Sequence, residues 1–186
     1  MKPLPTPTVL FSQEQLASRI QAMGLQIAEA YAGEELIVVG LLKNSLVFMA
    51  DLMRAIPALF RSYTLRVVQI AEARGGASTL QILYGAGVPV EGQNVLLVDD
   101  VVDTGVTLAY VRDHLAARRP KTLRTAVLID RTEPRKTQIT PEWSAFRIEE
   151  SQDNRFLVGY GLDHNDYYRG LPYVGVLPRD SQGLIR

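Results

Sequence analysis

Cysteine is absent from the 186 residues, so the chain has no disulfide, no thiolate nucleophile and no zinc–cysteine site. An excess of one charge is also missing. The formal net charge is +0, and the chain as a whole is no binder of polyanions. No apolar run approaches the roughly 20 residues a membrane helix needs. The opening stretch, MKPLPTPTVLFSQEQ, carries one lysine and closely spaced prolines where a signal peptide would have an apolar core. The expectation is a cytoplasmic protein with no nucleic-acid or membrane partner. What the chain does have is an apolar fraction of 47% and the length of one domain, enough for a sizeable core.

The most informative stretch is VLLVDDVVDTGVT, residues 95–107. Residues 95–98 form an apolar run suited to a buried strand, and an acidic loop is expected from Asp99 onward. Leu108, Val111 and Leu115 then recur at helical spacing, so Thr104, Gly105, Val106 and Thr107 fall where a helix opens. Unpaired backbone N–H groups and the positive end of the dipole meet there, a nest for a phosphate monoester. Asp99, Asp100 and Asp103 would repel phosphate, so they need another task. Adjacent strand-end carboxylates can take ribose hydroxyls or hydrated Mg²⁺. A ligand with a 5′-phosphate, a ribose diol and Mg²⁺ satisfies all of these groups. An ordinary strand–turn–helix with a capping residue accounts for one acid, not for three followed by Thr-Gly-x-Thr.

The rest of the chain alternates. Ser12 and Gln15 make a capping box with Phe11 as its staple, and a helix is expected over 13–32, weakened near Gly24. An apolar strand over 35–42 leads through Leu-Lys-Asn-Ser to a helix closed by Pro57. Strands are expected at 63–70, 81–84 and 122–129, with a small-residue, lid-like segment at 71–79. Strand–helix alternation predicts a parallel sheet, with ligand groups at the carboxyl ends of its strands. Lys43, Asp99 to Thr107 and Arg131 all lie at such ends. No such alternation is legible in the last third.

Residues 95–107 resemble the phosphoribosyl-pyrophosphate (PRPP) signature of the type I phosphoribosyltransferases. Residues 155–177, RFLVGYGLDHNDYYRGLPYVGVL, resemble the C-terminal hood of the hypoxanthine-guanine members, and the likeness spans about 11–178. It implies one α/β domain over 1–186: a parallel twisted sheet flanked by helices, core about 34–132, with a small hood from about 1–12 and 143–186. It implies purine salvage with Mg²⁺, from PRPP and hypoxanthine or guanine to IMP or GMP and pyrophosphate, by a homodimer or homotetramer. Asp103 is then the catalytic acid/base and, with Thr104 to Thr107, part of the 5′-phosphate loop. Asp99 and Asp100 take ribose and Mg²⁺. Lys43, Asn44 and Arg169 take pyrophosphate. Val101, Arg131, Phe156, Leu157 and Asp163 surround the purine, and Asp163 also nears the metal.

The pattern is departed from in four places, one of them the run EESQDN at 149–154, a small insertion just before Phe156. Asn44 replaces a glycine in a Leu-Lys-Gly loop that carries a strained peptide after the lysine. Arg131 replaces a lysine that donates to the purine 6-oxo group, and arginine is longer and planar. The lid has no Ser-Tyr pair, and its one cation, Arg74, is either a pyrophosphate contact or a solvated loop residue. The alternatives are a PRPP-site regulator or a transferase for another base such as xanthine.

Overall fold

The computed structural model describes residues 4–70, 79–84, 87–133, 135–149 and 156–178. The elements are β1 (Thr8–Phe11), α1 (Gln13–Tyr31), β2 (Leu36–Leu42), α2 (Leu46–Ala55), β3 (Phe60–Ile70), β4 (Thr79–Tyr84), β5 (Asn94–Val102), α3 (Val106–Ala116), β6 (Thr122–Arg131), β7 (Trp143–Ile148), β8 (Phe156–Val158) and β9 (Val174–Leu177). Six strands form the main sheet in the order β4-β3-β2-β5-β6-β7, and β1-β9-β8 form a second, antiparallel sheet. No helix among the described residues is long and apolar enough to cross a membrane.

β2 and β5 sit in the middle of the main sheet and are buried on both faces, which is why they read as unbroken apolar runs. Leu36, Val38, Leu96 and Val98 point to one face, against Ile20, Ile27, Phe48 and Leu52 of α1 and α2. Ile37, Val39, Val95 and Leu97 point to the other, against Leu108, Val111 and Leu115 of α3. The sheet lies between two helical layers, and its strand ends remain free for a ligand.

The Ser12–Gln15 capping box is present at the start of α1. Phe11 stacks on Phe146 of β7, with ring centroids 3.9 Å apart. α1 does not break at Gly24. A Cβ there would lie 2.4 Å from the carbonyl oxygen of Ala55, so the glycine permits close contact with the end of α2.

Several boundaries differ from expectation. β3 starts at Phe60, and β4 pairs with it antiparallel, so the sheet is mixed at one edge. β5 continues to Val102, so Asp99 and Asp100 belong to the strand and not to a loop. β7 pairs parallel with β6 in the main sheet, although its residues were expected in the hood. It is a short edge strand of mixed burial, and its pattern carries little signal.

Candidate active site

A cleft of about 710 Å³ opens where the carboxyl ends of β2, β3, β5 and β6 face the small sheet. Lys43, Asn44, Asp99, Asp100, Val101, Asp103, Thr107, Arg131, Phe156, Leu157, Asp163 and Arg169 all line it. Thr104, Gly105 and Val106 flank it without lining it. The Arg74 expectation falls outside the described residues.

The floor is β5. Asp99 and Asp100 are only 8% and 9% exposed, and the Asp100 amide donates to Asp99 Oδ1 at 2.9 Å. Burial, and then the neighbouring Asp100 carboxylate, push the Asp99 carboxyl well above the ordinary carboxylate range. Beyond β5 the chain turns through Gly105, whose φ of 79° belongs to the left-handed region. A side chain there would meet Thr137 Oγ1 at 2.3 Å. The 135–139 segment therefore packs directly on the turn. Lys136 N–H donates to the Thr104 carbonyl at 2.8 Å. Arg135 donates to the carbonyls of Asp103 and Arg131, both at 3.2 Å, and pairs with the buried Asp130 carboxylate. One guanidinium thus ties the β5–α3 turn to the end of β6. Arg131 Nη1 lies 3.7 Å from Asp103 Oδ1.

The wall is the β2–α2 turn. The peptide bond between Leu42 and Lys43 is cis, so the unusual peptide precedes the lysine and does not follow it as expected. The roof is the hood. Phe156 stays 36% exposed, its ring nearly perpendicular to that of His164. Gly161, at φ 98°, passes so close that a Cβ would lie 2.3 Å from the Asn44 carbonyl oxygen. Tyr160 is a packing residue: it is buried, and its hydroxyl donates to Asp51. Burial and that carboxylate raise its phenol.

Arg169 joins wall and roof. It donates to Asn44 Oδ1 at 2.6 Å and to the Gly161 carbonyl at 2.8 Å, and it pairs with Asp163 at 2.8 Å. Its partner Asp166 was missed in the sequence. That carboxylate lies 2.9 Å from Arg169 Nη2 and 3.1 Å from Lys43 Nζ. Its hydrogen bonds to Arg169 and Lys43 hold it below the usual carboxylate range. Arg66 was missed too. It stands opposite Leu42 in the β2–β3 register and is one of the residues lining the cleft, with no side-chain hydrogen bond or ion pair to a described residue. It lies in the middle of β3, level with the carboxyl end of β2, a place the strand pattern does not single out. Nothing in the local pattern marks Arg135 or Asp166.

Paired strand-end acids, a glycine turn opening a helix, a cation cluster and an open aromatic at the carboxyl ends of a largely parallel sheet define an α/β enzyme that handles a phosphorylated ligand. Residues 9–165 match the family described as phosphoribosyl transferase domain. The chain is 35% identical to the hypoxanthine-guanine phosphoribosyltransferase of Aquifex aeolicus over 89% of its own length and 92% of the relative's. It is 34% identical to the enzyme of that name from Streptococcus mutans, covering 92% and 93% of the two chains. A crystal structure of a hypoxanthine-guanine phosphoribosyltransferase from Bacillus anthracis superposes with a TM-score of 0.82 at 33% identity, over 95% of this chain and 100% of that one. A Trypanosoma cruzi hypoxanthine phosphoribosyltransferase superposes at 0.83 with 32% identity, over 91% and 94%. The chain belongs to the phosphoribosyltransferase family, on the branch represented by these hypoxanthine-guanine enzymes.

Proposed function

We propose that the protein transfers the 5-phosphoribosyl group from PRPP to N9 of hypoxanthine or guanine, giving IMP or GMP and pyrophosphate. The observation that carries this is the meeting, in one cleft, of the β5 acids, the Lys43–Arg169 cation pair and the exposed face of Phe156. Each suits one part of the reactants: ribose diol, pyrophosphate and purine.

Asp99 and Asp100 take the ribose hydroxyls. The turn from Asp103 to Thr107 offers amides and hydroxyls to the 5′-phosphate. Lys43, Asn44 and Arg169 receive pyrophosphate as the bond to C1′ breaks. The base enters between Phe156 and Val101, and Leu157, one residue on in β8, offers its backbone to the base edge. Arg131 donates to the 6-oxo group. Asp103, adjoining the base position, takes the imidazole proton of the purine and balances positive charge developing on the ribose.

Among the described residues no cluster of three or more acids or histidines could hold a metal ion. Mg²⁺ keeps several waters and uses one or two carboxylates, so it can arrive on the substrate. Asp99 and Asp100 would hold it on the ribose side and Asp163 on the pyrophosphate side. There it would supply charge neutralisation of the leaving group.

The test is a panel of bases with PRPP and Mg²⁺, followed by nucleotide formation. Hypoxanthine and guanine are expected to react. Adenine leaves the Arg131 donor without its acceptor, a loss of about 1–3 kcal/mol, and is expected to react poorly. Adenine turning over as fast as the oxopurines would reject this base pocket. The Arg131–Asp103 ion pair favours keeping xanthine in the panel, because a planar guanidinium can reach oxygens a lysine does not. Light scattering of the purified chain decides between the expected homodimer and homotetramer.

A further inference from the structure

Lys43 and Arg169 come from different parts of the fold, the β2–α2 turn and the hood, yet they converge on one oxygen, Oδ1 of Asp166, at 3.1 and 2.9 Å. The Asp166 side chain is 69% exposed and shields no core. It is nonetheless held in place. His164 and Tyr167 exchange backbone hydrogen bonds, so Asn165 and Asp166 are the two central residues of a hairpin turn, with φ of 53° and 64°. Such a turn favours asparagine or glycine. The Asp166 amide donates to Asp163 Oδ2 at 2.8 Å, which fixes the carboxylate beside the other partner of Arg169. Aspartate is tolerated in such a turn, but the turn itself has no need of its charge. What the aspartate adds is a negative charge at the point where two cations await an anion.

We propose that Asp166 is a built-in stand-in for pyrophosphate: its carboxylate holds Lys43 and Arg169 in the ligand-free protein, and pyrophosphate or the pyrophosphate end of PRPP binds by displacing it. This deepens the proposed function and rests on Lys43 and Arg169 being the pyrophosphate cations. The exchange is of like for like. One exposed carboxylate leaves and a polyanion arrives, so the cations never lack a partner and stay aimed at the cleft. Exposed pairs of this kind are weak, so the substrate displaces the carboxylate readily. In the product complex the same carboxylate waits to reclaim both cations, which speeds pyrophosphate release.

The test is calorimetric binding of magnesium pyrophosphate to the full chain and to Asp166→Asn, Lys43→Met and the double variant. Asparagine suits the left-handed turn position, so Asp166→Asn keeps the hairpin. It is expected to tighten pyrophosphate binding about fivefold, the size of an exposed ion pair, and to make pyrophosphate a stronger product inhibitor by the same factor. In the Lys43→Met background the gain should shrink. Unchanged or weaker binding by Asp166→Asn overturns the stand-in role. An undiminished gain in the Lys43→Met background also overturns it, because the effect is then one of net charge and not of pairing. If Lys43→Met leaves pyrophosphate affinity intact, the assignment of the pyrophosphate site itself falls.

Discussion

Asp103 stands with its carboxylate half exposed and 3.7 Å from the Arg131 guanidinium. The neighbouring carboxylates of Asp99 and Asp100 are buried on the strand. The contrast in surroundings matches a division of labour: an acid/base must reach a proton on the ligand, whereas ligand-holding acids gain from a fixed, desolvated position. Asp103→Asn is expected to lower kcat by about 10²–10⁴, the usual worth of a general acid/base. The KM for PRPP should change little, because Arg135 grips the Asp103 carbonyl and not its side chain. Steady-state kinetics against PRPP check both. Asp103 was legible in the sequence because strand, acids and glycine turn are contiguous. Arg135 and Asp166 were not, because what ties each to the site is a distant group: the Asp103 carbonyl for Arg135, and for Asp166 the Lys43 ammonium 123 positions away.

Helix α1 and strand β7 show why some elements read clearly and others did not. α1 announces itself through a capping box and apolar residues on one face, and its range was foreseen to within a residue. Gly24 misled, since a glycine inside a helix ordinarily weakens it. Here it faces the Ala55 carbonyl at the end of α2. Gly24→Ala would gain about 1 kcal/mol of helix propensity, but the added carbon meets backbone, which cannot rotate away. Overpacking of this kind costs about 1–3 kcal/mol. The variant is therefore expected to be less stable, with a lower urea midpoint at unchanged m-value. A raised midpoint would show that α1 can shift away from α2. β7, by contrast, is six residues with one fully buried side chain, and only its pairing with β6 assigns it to the sheet.

At the scale of the molecule, function depends on how the hood sits against the core. The contact is closest where Gly161 passes the Asn44 carbonyl, and Arg169 spans the same gap. Gly161→Ala is expected to raise the KM for PRPP more than it lowers stability, since the core sheet does not depend on that contact. Parallel kinetics and thermal melts would show it. A large fall in Tm with unchanged KM would mean that the hood is structural glue and not part of the site. The parallel pairing of β3, β2, β5 and β6 agrees with strand–helix alternation, whereas the strand order was not foreseen. Nor could the hood's pairing be, because β1 and β9 meet from nearly opposite ends of the chain, Thr8 against Val176.

That pairing has a consequence for how the protein is made. Thr8 to Phe11 leave the ribosome well over a hundred residues ahead of their partner strand β9, Thr8 pairing with Val176. At about 5–20 residues per second, β1 waits roughly ten to thirty seconds for its neighbour. Over that interval β2, β5 and β6 can already pair, while Phe156 and Arg169 have yet to emerge. A nascent chain can therefore own a folded sheet and all three β5-region acids and still lack a purine seat and half its pyrophosphate grip. The cleft becomes a catalyst only once the hood strands have followed.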